Sequence, residues 1–378
     1  MRRLRDGHHR LCAARELQEL LLGPWGRRKE AVPGVLEEAR PPRCDGGAEE
    51  ELGVGPPRAF CAAAVAAFAL PALAQQASTF PNKPVNIVTA FAAGSGPDAV
   101  LRQISEKLSK LWNQPVTITN KPGGGGFIAI DATQRMPADG YTLLQLDSEH
   151  LAALPLLYKS KNFVTLNVFD PVAPLFRTPF LVSVATDSKW QNMKDLIAAA
   201  KAEPNKVSYG SWGVGSPGHL GGEQLELLTG VEMTHVAYRE VSQLFTSVGA
   251  GDIQWSFASI PSSQGVYKAG KIRYIAVAAA KRIPQMPDVP TVAEAGGPAG
   301  FEVNSFVSLV APKGIANDVK TKINADVLKV LADPEVKARY NTFAFETITW
   351  SPDDIRKNAD AKHKIYEQLV KRKNISLD

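Results

Sequence analysis

Beyond residue 84 the chain alternates short β-branched runs with longer stretches whose apolar residues recur every three or four positions. VNIVTAF (85–91) is short and continuously apolar, the pattern of a buried strand. A small-residue loop, Ala92 to Gly96, follows; then Val100, Leu101, Ile104, Leu108 and Leu111 mark one face of a helix over 97–112. PVTITN (115–120) predicts a second strand, KPGGGG a loop, and residues 127 to about 135 a helix. After the turn PADG (137–140), YTLLQL predicts a third strand. Strand, helix, strand, helix, strand is the signature of a parallel sheet with helical crossovers.

A second α/β unit of about 120 residues follows. FLVSVAT (180–186) predicts a strand, MKDLIAAAKA a short helix ending before Pro204, and VSYGS a strand leading into WGVGSPGHL. HLGGEQLELLTG has helical spacing with Gly230 as its C-cap. MTHVAY and DIQWSFAS are strands around the helix QLFTSVGAG, and GVYKAGKIRYIAVAA is helix, turn, strand. FVSLVAPKG (306–314) is a late strand, followed by helices over 317–331, 334 to about 341, and 352–371.

The N-terminal quarter departs from this pattern. FCAAAVAAFALPALA (60–74) is an apolar run preceded by Arg58 and closed by Ala72-Leu73-Ala74, an A-x-A cleavage site. It falls short of the ~20 residues a membrane span needs, and Pro71 interrupts it. Residues 58–74 are therefore expected to be a signal peptide cleaved after Ala74. Residues 1–57, rich in Arg, Glu, Pro and Gly without an apolar period, are expected to be a non-native extension from a mis-called start.

At 378 residues the chain is long enough for two domains, and 44% hydrophobic with 21% charged residues is ordinary for a soluble globular protein. The 11 basic and 10 acidic residues before Gln75 leave 32 and 28, a net charge of +4. No concentrated basic stripe follows, so nucleic acid is not an expected partner. Cys12, Cys44 and Cys61 all precede the cleavage point, leaving no disulfide, thiolate metal site or cysteine nucleophile in the exported chain.

Two strand–glycine loop–helix junctions, one in each unit, carry the candidate chemistry: FAAGSGPDAV (91–100) and WGVGSPGHL (212–220). Ser95 or Gly96 and Ser216 are natural N-caps, with Pro97 and Pro217 in the first helical turns. Helix N-termini offer unpaired N–H groups and partial positive charge, so both junctions are candidate anion sites, or simply well-made turns. KPGGGGFIA (121–129) is a third glycine-rich loop, suited to close ligand approach or to a plain surface turn. A phosphate-binding loop is excluded because His219 and Phe127 stand where lysine is required, and G-x-G-x-x-G is absent from GGGGF. Ser216 lacks the nucleophile-elbow glycine, since position 214 is Val214; a triad drawn from His150, His219, His235 or His363 stays open as a serine-hydrolase alternative. His219 and Glu223, at i and i+4, make a lone pair without a third metal ligand. His219 is expected to support the helix start or line the cleft.

Several stretches together resemble one family. FPNKPVNIVTAF, ITNKPGGGGFIAIDATQRMPADGYTLL, VSYGSWGVGSPGHLGGEQLELLTG, THVAYR and RIPQMPDVPTVAEAG resemble the signatures of the substrate-binding proteins of tripartite tricarboxylate transporters, the Bug family of extracytoplasmic solute receptors. The resemblance covers nearly all of 79–375. Two departures stand out: the family's "PGG-x-x-D" loop is Ala93-Gly94-Ser95-Gly96-Pro97-Asp98, and Glu240 replaces the glycine after His235-Val236-Ala237-Tyr238-Arg239.

The resemblance implies an α/β, type II periplasmic-binding-protein fold with two domains flanking a ligand cleft. Residues 79–182 and 305–378 would form domain one and 183–304 domain two, joined near FLVSVAT and NSFVSLV. It implies a periplasmic receptor that captures a small carboxylate for membrane permease subunits, working as a monomer without catalytic residues, metal or cofactor. A sensor presenting its closed form to a signalling partner is the alternative. The candidate contacts are Ala93, Gly94, Ser95, Asp98, Asp147 and Ser148 from domain one. Domain two offers Gly213, Gly215, Ser216, Pro217, His219 and Ser259. Asp98 has a second reading as a cap of its helix, since a carboxylate would repel an acidic ligand.

Overall fold

The structure is a computed structural model that describes residues 80–378. The expected extension over 1–57, the signal peptide over 58–74 and the cleavage after Ala74 lie outside the described residues.

The first sheet begins with β1 (Val85–Thr89), which pairs in parallel with β2 (Val116–Asn120) and β3 (Thr142–Asp147). Its fourth and fifth strands are β10 (Asn304–Pro312), antiparallel to β3, and β4 (Phe169–Pro179) at the edge, giving the order β2-β1-β3-β10-β4. Helix α1 (Gly96–Trp112) starts at Ser95, whose hydroxyl accepts the Asp98 N–H, and stops at Asn113 in a left-handed conformation. Its apolar face packs on the sheet beside α10 (Asn317–Leu331) and α11 (Pro334–Phe343). The last turn differs from the sequence expectation: Leu111 is 39% exposed, and Trp112 fills the core instead, its indole N–H bonding Asp326 at 2.6 Å. The other face of the sheet is covered by α2 (Phe127–Thr133), α3 (Ser148–Ala152), α5 (Thr165–Val168) and α12 (Pro352–Lys373). A single-turn helix, α4 (Leu154–Leu157), follows α3.

The second sheet has the order β7-β6-β8-β5-β9, formed by β5 (Leu181–Ala185), β6 (Ser208–Ser211), β7 (Thr234–Ala237), β8 (Trp255–Ala258) and β9 (Ile272–Val277). β6 runs parallel to β7 and β8, whereas β5 is antiparallel to both its neighbours. Helices α6 (Met193–Ala202) and α7 (Pro217–Thr229) cover one face; α8 (Val241–Ala250) and α9 (Ile260–Lys268) cover the other.

The chain changes sheet at two places. Only Phe180 separates β4 from β5, and it lies beside the Val303–Asn304 junction, donating its N–H to the Val303 carbonyl at 3.1 Å. A separate apolar cluster spans the two lobes: Leu220 and Leu227 of α7 meet Leu157 of α4 and Leu369 and Val370 of α12. The parallel strands of both sheets point their C-terminal ends at this junction, the usual position of ligand crevices in open α/β sheets.

Candidate functional site

On the second lobe, β6 ends at Ser211 and the chain turns through Trp212–Gly215 into α7. Gly213 (φ +129°) and Gly215 (φ +81°) hold left-handed conformations that side chains disfavour. Ser216 caps α7, its Oγ accepting the His219 N–H at 3.4 Å. Pro217 has no N–H to donate, and the Gly218 N–H has no hydrogen-bond partner among the described residues. The positive end of a 13-residue helix thus opens beside the loop.

Below the loop lies a buried polar cluster. His219 Nδ1 accepts the Gly215 N–H at 3.1 Å, so the ring carries its proton on Nε2, facing Glu223 at 3.6 Å. Glu223 also accepts the Tyr209 hydroxyl at 3.0 Å and lies 3.1 Å from Lys373 Nζ. Burial opposes ionisation of Glu223, but His219 and Lys373 outweigh it and hold its carboxyl at about 2. His235 Nε2 is 2.7 Å from Ser211 Oγ, and burial together with neighbouring His219 pushes its ring down to about 4. The triad of the hydrolase alternative is not assembled. Ser216 Oγ bonds no histidine ring among the described residues, and the serine that does, Ser211, is fully buried.

On the first lobe, Asp147 ends β3 and caps α3, accepting the N–H groups of Glu149 (3.1 Å) and His150 (2.9 Å). The same oxygen, Oδ1, meets His150 Nδ1 at 2.5 Å. Burial works against both charges, but their mutual attraction wins: His150 is raised and Asp147 lowered, so the two form an ion pair. The ring of His150 lies where a Cβ on Gly126 would be, 2.4 Å from Nε2, which explains a glycine with φ +90° there. Glu149 also borders the cavity described below, its carboxylate held in a network with Lys362 (3.1 Å), Tyr366 (2.7 Å), Ser148 (2.9 Å) and Ser305 (2.6 Å).

A cavity of about 270 Å³ lies between these two walls, lined by Phe91, Gly123, Gly125 and Gly126, Asp147, His150 and Tyr158 on one side and Trp212 and Val214 to Pro217 on the other. Leu377 closes part of it, its N–H bonded to the Leu157 carbonyl at 2.8 Å while Asp378 accepts from Ser160. Of the residues singled out in the sequence, the cavity gathers Asp147, Gly215, Ser216 and Pro217.

The others stand elsewhere. Asp98 is buried and holds its own loop, accepting from Gly94 N–H (2.8 Å), Asn120 (2.8 Å) and Arg102 (2.9 Å), while the helix cap is Ser95. Ala93, Gly94 and Ser95 form that loop, outside this cavity. Ser148 is fully buried with its hydroxyl in the Glu149 network. Gly213 sits at the base of the α7 loop and His219 beneath it. Ser259 caps α9 with Ser262. That cap approaches α1 at a second meeting point of the lobes, where a Cβ on Gly96 would lie 3.1 Å from Pro261. Sequence reasoning did not select His150, Tyr158 or Trp212 as ligand contacts, naming His150 only as a candidate triad member; the signal for His150 was a histidine three residues after a capping aspartate at a strand end. The four-glycine loop proves to be cavity wall at Gly123, Gly125 and Gly126. Among the described residues no group of three His, Cys, Asp or Glu could hold a metal, and no helix is long and apolar enough to cross a membrane.

Residues 100–375 match the family profile of the tripartite tricarboxylate transporter family receptors. The chain belongs to this receptor family. Its relatives include the UPF0065 protein in the tcbD-tcbE intergenic region of Pseudomonas sp. strain P51, 31% identical over 297 residues, 79% of this chain and 88% of that protein. The protein BugT of Bordetella pertussis is 28% identical over 281 residues, 74% of this chain and 86% of its own. Among solved structures, R. palustris Rpa4515 with adipate superposes with a TM-score of 0.71 at 31% identity, covering 79% of this chain and all (100%) of that one. MatC from Rhodopseudomonas palustris with bound malate gives 0.68 at 25% identity, over 77% and 100% of the two chains. The type II periplasmic-binding-protein fold expected from the sequence is the fold observed, and the family is a class of solute-binding receptors.

Proposed function

We propose that this receptor captures a small carboxylate in the periplasm and delivers it to the membrane permease of a tripartite transporter. The observation that carries the reading is the N-terminal end of α7, where Val214, Gly215, Ser216 and Pro217 line a cavity bounded by both lobes. A carboxylate there would accept backbone N–H groups and meet the positive helix end, without a arginine clamp. The volume of about 270 Å³ is at the small end for ligand sites and suits a metabolite of a few carbons. Related receptors solved with adipate and malate support the ligand class. Residues 79–182 with 305–378 would move against 183–304 about the crossings at Phe180 and Val303–Asn304, a hinge closure around the ligand. Export through a signal peptide cleaved after Ala74 fits a periplasmic site of action.

The test is a thermal-shift screen of the purified protein, unfolded and refolded to remove carried-over ligand, against carboxylates, phosphates and neutral metabolites. A ligand at 100 times its dissociation constant stabilises the fold by about 2.7 kcal/mol. A response to acids alone is the expected result; a response to phosphates or neutral metabolites instead would overturn the reading.

A further inference from the structure

We propose that His150 is a specificity-determining residue of this cavity, donating from Nε2 to a second, distal carboxylate of the ligand. The inference rests on the carboxylate reading above and adds a second pole to it.

His150 and the α7 N-terminus line the same cavity from opposite lobes. Asp147 takes Nδ1 at 2.5 Å, which fixes the ring and leaves Nε2 beside Gly126 in the cavity wall. Nε2 has no hydrogen-bond partner among the described residues, although the ring is mostly buried, with 17% of the side chain exposed. Phe91 meets the ring edge-to-face at 6.2 Å, and Gly126 gives up its side chain to let the imidazole pass.

A histidine whose Nδ1 donates to a carboxylate can donate from Nε2 only as an imidazolium. Asp147 favours that form and raises His150 above its ordinary range. Glu149, which also favours the charged ring, is engaged by Lys362 and Tyr366 of α12, and His363 bonds the Ala152 carbonyl. The Asp147–His150 pair is neutral as a unit. Its attraction for a ligand is therefore directional, a single charge-assisted N–H on one side with no net charge behind it. A monocarboxylate would be held by α7 alone, whereas a dicarboxylate would satisfy both walls and draw the lobes together.

The test compares acids of equal length by calorimetry: butyrate with succinate, and hexanoate with adipate. Wild type is expected to prefer the diacids by about tenfold or more, the scale of one charge-assisted hydrogen bond. His150→Gln should remove most of that preference while leaving monoacid affinity within about twofold, since the α7 pole is untouched. Asp147→Asn supplies an independent variant, because asparagine caps a helix as well as aspartate does but does not hold an imidazolium. It should show the same selective loss, and it decides the matter if His150→Gln fails to fold. Equal wild-type affinity for mono- and diacids, or a diacid preference that survives in a folded variant, would overturn the role of His150 with the carboxylate reading intact. Binding of none of the four acids by wild type would overturn both.

Discussion

Lys373, in the last turn of α12, places its Nζ 3.1 Å from Glu223 Oε2 of α7, across the junction between the lobes. It also pairs with Glu226, whose side chain is only 3% exposed. Because α12 packs on the first lobe, this is an ionic tie between lobes set beside the Leu220–Leu157 apolar contact. Removing one partner of a buried pair leaves the others uncompensated, at a cost of about 3–5 kcal/mol when burial is complete.

Lys373→Met is therefore expected to destabilise the protein by about 2–3 kcal/mol, the lower range reflecting the lysine's partial exposure. The midpoint of thermal unfolding should fall by about 5 °C. An unchanged midpoint would mean that Glu223 and Glu226 are satisfied by water.

Gly215→Ala should weaken ligand binding more than it weakens the fold. An added Cβ would lie 2.3 Å from Leu157 Cδ1, a residue of the opposite lobe, and the φ of +81° adds strain of its own. Together these cost about 2–4 kcal/mol, of which the clash is felt when the lobes are together. Titration of the best acid from the screen should show a loss of affinity of tenfold or more (about 1.4 kcal/mol or above).

Ser216→Ala separates a receptor from a hydrolase. Loss of the cap on the His219 N–H should cost about 1 kcal/mol of stability and reduce affinity several-fold. Ester-hydrolysis assays should give the same background rate for wild type and variant.

Stability should depend on pH through His235. Its folded value of about 4 lies below the 6.5 of a free histidine, so between these limits the unfolded chain binds the extra proton. This contribution is present above pH 6.5 and is lost as pH falls towards 4; the full difference corresponds to about 3 kcal/mol, which solvent screening of the partly exposed ring reduces to about 2 kcal/mol. His150 acts in the opposite direction, since its value is raised. Urea unfolding of wild type and His235→Asn at pH 7 and pH 4.5 isolates the His235 share; parallel losses in the two proteins would refute it.

Much of the fold was legible because its strands are short apolar runs and its helices have clear apolar faces and caps. The region 148–179 was not. β4 contains Pro171, Pro174 and Pro179, and proline ordinarily argues against a strand. Here β4 is the edge of its sheet, and the register shifts beside Ser308 and Val310, the partners of Pro174 and Pro171. Edge position and irregular pairing accommodate the missing N–H groups, and neither is encoded locally. The α7 half of the site was legible for the converse reason: cap, proline and glycines are contiguous. His150 was hidden because its importance comes from Gly126 and Asp147, brought together only by folding.

The two ends of the described chain stand in unequal relation to the cavity. Phe80 packs near Trp112 and Tyr141, at the end of the first sheet where its parallel strands begin. Leu377, by contrast, is part of the cavity wall, and Asp378 is anchored to Ser160. An affinity handle fused behind Asp378 would therefore disturb the very surface being assayed, whereas one placed ahead of Phe80 would leave it alone. The same asymmetry makes the Leu377 end the natural place for an environment-sensitive dye, turning lobe closure into an optical signal.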